Sequence, residues 1–470
     1  MTEPEPAESC HVTLLVPHPR RIAVLVADAD SSSGTSTSTQ TLMPPQPRLP
    51  TLRMNNAEPS LAEILASVDV VDTSTVAVLR VVMTSAAEAN DGEDHEHAET
   101  FMVEFEAAST DPSAGWAWQD LDASVIARLE PATSRAAVAS WVRERAEGWS
   151  LLRPQWSHPG WFARASSWIV DQMAAARLPV VAAPRQHQLW GISVVLRASS
   201  ADGDVFFKCS AEAFRHEAVA TQALAGMMPE LVPEVIAVDG ARGWMLMRDL
   251  GAAELGDQDE SLWFEGVVAH AGIQQLWLGR SEELVALGLP NRSLTDLAAQ
   301  VGAMTQDSAL LGRMPPDLRE RWLATAPMLI ESCRRLDKIG PGPTLVHGDF
   351  HPWNVAFGPA TTRVFDWTDA ALSHPFVDLA TYVFRSQDVS VRQGLVDAYV
   401  DAWSTMGSEA SLRDAAALGL VVGALYQVQS YRALLPTLIG NGADDGLADA
   451  DLHWIERSLT RHEQGLNSPV

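Results

Sequence analysis

Hydrophobic and polar positions change their rhythm along the chain. In the first 150 residues short apolar runs at His11 to Val16, Arg21 to Ala27, Thr75 to Met83 and Thr100 to Ala107 predict strands. Ser134 to Glu147 predicts a helix, and the tracts Ser31 to Thr41 and Met43 to Pro50 predict flexible loops. Strand signals return at Gln188 to Trp190 and Val194 to Ala198, joined by Gly191-Ile192-Ser193, and at Val205-Phe206-Phe207-Lys208 after an Asp202-Gly203-Asp204 turn. Phe214 to Leu224 has helical spacing, with Phe214, Ala218, Thr221 and Leu224 on one side. Trp244 to Met247 predicts a strand that runs through Arg248-Asp249-Leu250 into Gly251. From Leu262 onward the period is helical: Phe264 to Gly279, Thr295 to Met304, Leu318 to Leu336 with a break or kink at Pro327, Phe376 to Phe384, Ser390 to Thr405, Leu412 to Arg432 and Asp451 to Gln464. Two short strand-like pieces interrupt it, Thr344-Leu345-Val346 and Arg363-Val364-Phe365.

Composition narrows the class. A chain of 470 residues that is 47% hydrophobic calls for two or three domains with sizeable cores. The net charge of −27 argues against nucleic acid as a partner. It is compatible with drawing a cationic small molecule into an acidic cleft, although solubility explains whole-chain charge more simply. The start of the chain is acidic and predicts no signal peptide; the longest apolar run, Ala415 to Tyr426, is too short to span a bilayer and predicts a buried helix. Three scattered cysteines, Cys10, Cys209 and Cys333, suggest no disulfide framework and fit a reducing cytoplasm.

The chemistry concentrates in His347-Gly348-Asp349-Phe350-His351-Pro352-Trp353-Asn354. A carboxylate and an amide lie five apart on a loop, and a second carboxylate, Asp366, follows the next strand piece. Phosphoryl transfer needs such a set: one carboxylate to orient an attacking hydroxyl, and hard oxygen ligands to hold Mg²⁺ against nucleotide phosphates. A single motif of this kind would be no more than ordinary loop capping by Asp and Asn. Only two lysines occur in the chain, Lys208 and Lys338, beside thirty-one arginines. A lysine retained after Val205-Phe206-Phe207 calls for a reason that arginine cannot satisfy, such as a compact point charge on a thin stem.

Three segments together, His347 to Asn354, Val364-Phe365-Asp366-Trp367 and His374-Pro375-Phe376-Val377-Asp378-Leu379-Ala380, resemble the aminoglycoside phosphotransferase and choline kinase family in order and spacing. The resemblance implies an α+β, two-lobed protein-kinase-like fold. It divides the chain into an N-terminal α/β domain (1–150), a Trp-rich connecting segment (151–177), a small β-rich lobe with hinge (178–251) and a helical lobe with the catalytic loop (252–470). It implies ATP and Mg²⁺ as cofactors, with Asp349 as catalytic base and Asn354 and Asp366 on the metal. Lys208 would reach the α- and β-phosphates, held by Glu217 nine residues on. A short loop containing Ser193 would cover the phosphates, and the carbonyl of Arg248 and amide of Leu250 would bond the adenine. His347 would brace the loop and Asp378 would cap it through backbone amides.

The expected activity is transfer of a γ-phosphate to a hydroxyl of an aminoglycoside, amino sugar or amino alcohol, with no role for nucleic acid or membrane. Candidates for the acceptor pocket are Asp369, Tyr426, Gln427, Gln429, Tyr431 and the acidic run Asp444-Asp445 to Asp449. The alternative is a non-catalytic nucleotide-binding or sensing protein of the same fold; the retention of the lysine and metal set argues against it. The first 150 residues, with Trp116-Ala117-Trp118 and a closing helix, are faintly similar to a Nudix-type domain. The stretch Pro59 to Leu65 has a single glutamate where that family has several, so hydrolysis is not expected there. Glu88 to Glu99, with His95 and His97, is expected to be a solvated hairpin tip and not a metal site.

Overall fold

The computed structural model describes residues 10–17, 23–27, 46–54, 64, 77–83, 100–106, 113–130, 132, 134–149, 153–358, 361–440 and 449–465. The chain forms two compact units. One comprises Met1–Asp171, Ala183–Arg197 and Pro436–Asp445, the other Gln172–Ala182, Ala198–Leu435 and Gly446–Val470.

The first unit contains a four-stranded mixed sheet. Strand β1 (Cys10–Leu15) pairs in parallel with β5 (Thr100–Glu106) and antiparallel with β3 (Thr51–Met54), and β4 (Ala77–Met83) closes the other side antiparallel to β5. A second pair, β2 (Ala23–Ala27) and β6 (Trp116–Asp120), is antiparallel. Helix α1 (Ser134–Glu147) lies where its period predicts and buries Val138 and Trp141, one turn apart, with Leu15, Val24, Val26, Leu49 and Leu129.

The end of the Pro-rich piece departs from the expected flexible loop. The Pro47 carbonyl accepts from Glu130 N, Leu49 N donates to Glu130 O, and the Arg48 and Pro50 carbonyls accept from Ala27 N and Leu14 N, all at 2.7–2.9 Å. Proline removes a donor without removing its acceptor, so a Pro-rich edge can still be pinned through carbonyls. The Ser/Thr tract, the acidic His95/His97 run and all of Pro59 to Leu65 except the buried Ile64 lie outside the described residues.

In the Trp-rich segment Trp156 and Trp161 are buried, and the Arg153 guanidinium stacks 4.2 Å from the Trp149 ring. Helix α2 (Trp161–Ala175) follows directly. Strands β7 (Val180–Leu189) and β8 (Ser193–Ser200) run across the border between the units and are longer than their apolar cores.

The second unit is α+β, a small sheet followed by a large helical part. Strand β9 (Gly203–Ser210) pairs antiparallel with β11 (Trp244–Arg248), which pairs antiparallel with β10 (Val235–Asp239). Helix α3 (Glu217–Met227) buries Ala218, Thr221 and Leu224, as the i, i+3, i+4 spacing requires, and Phe214 is buried just before it.

The helical part contains α4 (Trp263–Leu276), α5 (Leu294–Met304) and α6 (Pro316–Leu336). Helix α6 runs through Pro327 as one element, with Leu318, Trp322, Ala326, Leu329, Cys333 and Leu336 buried on both sides of it. Then come β12 (Thr344–Val346), β13 (Val355–Gly358), β14 (Thr361–Val364), β15 (Ala371–Ser373), α7 (Leu379–Val383), α8 (Val389–Ala402), α9 (Glu409–Gly440) and α10 (Ala450–Gln464). Strands β12 and β15 pair antiparallel, as do β13 and β14, so two short hairpin-like ladders carry the chemically dense loops. Helix α9 contains the predicted buried run, and among the described residues no helix is long and apolar enough to cross a membrane.

Candidate active site

Lys208 near the end of β9 is buried and touches three oxygens. Its Nζ lies 2.7 Å from Glu217 Oε1, 2.6 Å from Asp366 Oδ1 and 2.9 Å from Thr368 Oγ1. Strand β9 supplies an apolar stem environment, while Glu217 sits at the first turn of α3, where a carboxylate also meets the positive end of the helix dipole. Ser210 Oγ holds the other oxygen of Glu217. Burial opposes the charge on Lys208, but Asp366 and Glu217 more than restore it, so the ammonium stays protonated. Burial also pushes the Asp366 carboxyl up, and the Lys208 charge outweighs it, holding Asp366 well below the usual carboxylate range. Asp366 has φ +65°, a left-handed conformation uncommon for any residue but glycine, and its carboxylate also accepts from Thr368.

The loop between β12 and β13 carries Asp349. Asp378 grips its start: Oδ2 accepts from His347 N and Oδ1 from Gly348 N, both at 2.9 Å. The same carboxylate accepts from His270 Nε2 at 2.7 Å and Gln274 Nε2 at 3.0 Å, so both oxygens of this buried side chain are engaged. His347 Nε2 donates to Phe365 O at 2.9 Å, which ties the loop to the segment preceding Asp366. Burial, reinforced by neighbouring His270, drops His347 to about 4, so it acts as a neutral brace. At the far end Asn354 Nδ2 donates to Asp349 O at 2.9 Å, and Phe365 N donates to Asn354 O at 3.0 Å.

Asp349 is recessed among protein atoms yet 44% of its side chain is open, and His351 Nε2 lies 3.7 Å from its Oδ2. Burial, then the charges of Asp369 and Asp366, push it up to about 6. Asp349 and Asp366, with Lys208 facing only the latter, are thus pushed apart, one up and one down. Residues 194–412 match the model of a phosphotransferase enzyme family.

That segment, a little under half of the chain, is similar to the family.

Solved structures similar to the chain include a macrolide 2′-phosphotransferase from Brachybacterium faecium (20% identity, 62% of this chain and 98% of that one, TM-score 0.43). Another is the choline kinase LicA from Streptococcus pneumoniae (12% identity, 63% and 99%, TM-score 0.42). A third is a choline/ethanolamine kinase family protein from Mesorhizobium loti (16% identity, 63% and 100%, TM-score 0.40). No curated protein matches the chain. The matched family is one of phosphotransferase enzymes.

The second unit brings together Lys208, Glu217, Asp366 and Thr368, and separately ties Asp349 to Asn354. Thr368 was not anticipated from sequence, nor were His270, Gln274 and Arg292; their partners lie about 70 to 160 positions away in the chain. Arg248 ends β11 with its guanidinium 2.8 Å from Glu234, and Leu250 is half-buried in the loop that follows. Ser193 belongs to the first unit, opens β8 and is buried, its carbonyl accepting from Trp190 N at 2.8 Å.

Several acceptor-pocket candidates are committed elsewhere. Asp369 is buried against Arg292 at 2.9 Å, Tyr426 OH donates to the Asp369 carbonyl, and Gln427 donates to the Gly348 carbonyl. These side chains are buried and already bonded within the protein, so drawing them away to meet a substrate would be costly. Asp449 pairs with Arg313 at 2.9 Å, and Asp444 and Asp445 lie outside the described residues. Tyr431 is half-buried; burial and then the Asp349 charge push its hydroxyl up to about 12.

Asn354 and Asp366 fit a hard divalent cation. The Asn354 amide nitrogen is turned toward the Asp349 carbonyl, which leaves its side-chain oxygen as the acceptor, and Asp366 is held ionised. Among the described residues no cluster of three or more His, Cys, Asp and Glu gathers as a metal cage. Mg²⁺ in phosphoryl-transfer sites commonly takes one or two protein oxygens and completes its shell with water and substrate phosphates.

Proposed function

We propose that the second unit transfers the γ-phosphate of ATP to a hydroxyl of a small molecule in a Mg²⁺-dependent reaction. The observation that carries this reading is Lys208, the buried ammonium shared between Glu217 and Asp366. Removing one partner of such a set strands a buried charge at a cost of about 3–5 kcal/mol, so it persists only where it serves something. Lys208 would meet nonbridging oxygens of the α- and β-phosphates, with Glu217 keeping it extended. Asn354 and Asp366 would hold Mg²⁺, which neutralises charge on the phosphates. Asp349 would orient the attacking hydroxyl and take its proton as the new P–O bond forms and the bond to the ADP oxygen breaks. Positioning and charge neutralisation supply most of the rate in this chemistry.

The acceptor reading of an aminoglycoside, amino sugar or amino alcohol rests on the family and the acidic balance, with Tyr431 and the exposed side of Asp349 as the groups nearest to hand. Two measurements test the reading. ATP should raise the melting temperature more with Mg²⁺ than without it, by ligand linkage. A panel of hydroxyl-bearing amino sugars, aminoglycosides and amino alcohols should include at least one whose addition produces ADP. Absence of both effects in the purified full chain would remove the proposal.

A further inference from the structure

Both polar groups of Gly348, the residue before Asp349, are clamped. Its N–H donates to Asp378 at 2.9 Å, and its carbonyl accepts from Gln427 Nε2 on α9. A carbonyl oxygen only accepts, so the Gln427 amide must face it through nitrogen. That carbonyl and the Asp349 amide nitrogen share one rigid peptide plane, so a clamp on the oxygen fixes the plane from which the Asp349 side chain departs. Gly348 has φ +84°, and a Cβ there would stand 2.1 Å from the Asp369 carbonyl oxygen, so the backbone has no slack on that side.

The turn of α9 that carries Gln427 is itself anchored. Tyr426 OH donates to the Asp369 carbonyl at 3.1 Å, and Ser430 Oγ reaches Asp369 Oδ2. Arg292 donates to Ser430 Oγ at 2.6 Å, pairs with Asp369 at 2.9 Å and lies 4.8 Å over the Tyr426 ring. Gln427, Asp369 and Arg292 are all buried, which makes each of these contacts costly to leave unmade.

We propose that Gln427 is a positioning residue for phosphoryl transfer, setting the aim of Asp349 by holding the Gly348 carbonyl while Arg292 and Asp369 fix the helix turn that bears it. The inference rests on the phosphotransferase reading for what Asp349 does, but the anchoring can be read without any substrate. Gln427→Met keeps length and volume and removes the donor. Val428→Ala, a buried neighbour on the same helix whose side chain has no hydrogen-bonding group, is the comparator for simple loss of stability.

In the full chain, hydrogen exchange of the amides of 347–354 should quicken at least ~10-fold in Gln427→Met and stay near wild type in Val428→Ala. With any acceptor from the panel, kcat per MgATP-binding site should fall ~10- to 100-fold in Gln427→Met, the scale of a small misplacement of a reacting group. The KM for ATP should change less than about twofold, because Lys208 and Asp366 are untouched, and Val428→Ala should keep its kcat per site. Wild-type exchange in 347–354 of Gln427→Met overturns the anchoring. Faster exchange with an unchanged kcat per site overturns the positioning role. A wild-type chain that binds MgATP but shows no Asp349-dependent turnover sinks the phosphotransferase reading instead, and exchange alone then decides the anchoring.

Discussion

Asp349 and Asp366 are both acidic residues next to the same loops, and their surroundings drive them apart. Asp366 faces the Lys208 ammonium and stays ionised, whereas Asp349 faces burial and like charges and is pushed up to about 6. A carboxyl with a raised value is protonated below it and accepts a proton only above it. The account therefore predicts that kcat/KM rises about tenfold per pH unit up to roughly pH 6 and levels off above that. His347 and His351, each held near 4 by burial first and by neighbouring charge second, are already neutral across that window and contribute nothing to the limb. A pH–rate profile checks this; an acid limb near the ordinary carboxylate range would show that Asp349 is not the titrating group. This charge separation could not be read from sequence, because it depends on which carboxylate meets a lysine 158 positions away.

At the scale of elements, α9 works by close approach. A Cβ on Gly423 would stand 2.1 Å from the Val377 carbonyl oxygen, and one on Gly419 2.4 Å from the Phe376 carbonyl oxygen. These glycines let the helix lie against the turn that presents Asp378, the clamp on the loop that carries Asp349. Gly423→Ala should destabilise the chain by about 1–3 kcal/mol despite alanine's better helix propensity. Gly272→Ala in α4, where a Cβ meets nothing within 4 Å, should instead stabilise by about 0.5–1 kcal/mol. Denaturant midpoints of the two variants decide it, and the same sign for both would contradict the packing described.

Helix existence was legible from period, since α1, α4, α5 and α10 fall within a few residues of their apolar runs. The purpose of α9 was not. Tyr426 and Gln427 appear in the sequence as polar residues free for a ligand, and only the approach of Asp369 and Gly348, 57 and 79 positions distant, turns them into braces.

On the scale of the whole molecule, all the residues that meet around Lys208 and Asp349 belong to one of the two units, and the matched family segment begins at residue 194. The local motifs are legible because they set residue types at short spacings: Asp349 to Asn354 on one loop, and Lys208 to Glu217 from the end of β9 to the start of α3. The acceptor carries no such spacing constraint, so the sequence offers candidates for it and no pattern. The central claim is that one carboxylate aims a hydroxyl at a phosphate held by the other groups. The most direct test compares γ-phosphate transfer by the full chain with that of Asp349→Asn, normalised to bound MgATP. The account predicts that the variant binds MgATP within about twofold of wild type and loses at least ~100-fold in transfer, the reach of a positioned general base. Transfer by Asp349→Asn at the wild-type rate would contradict it.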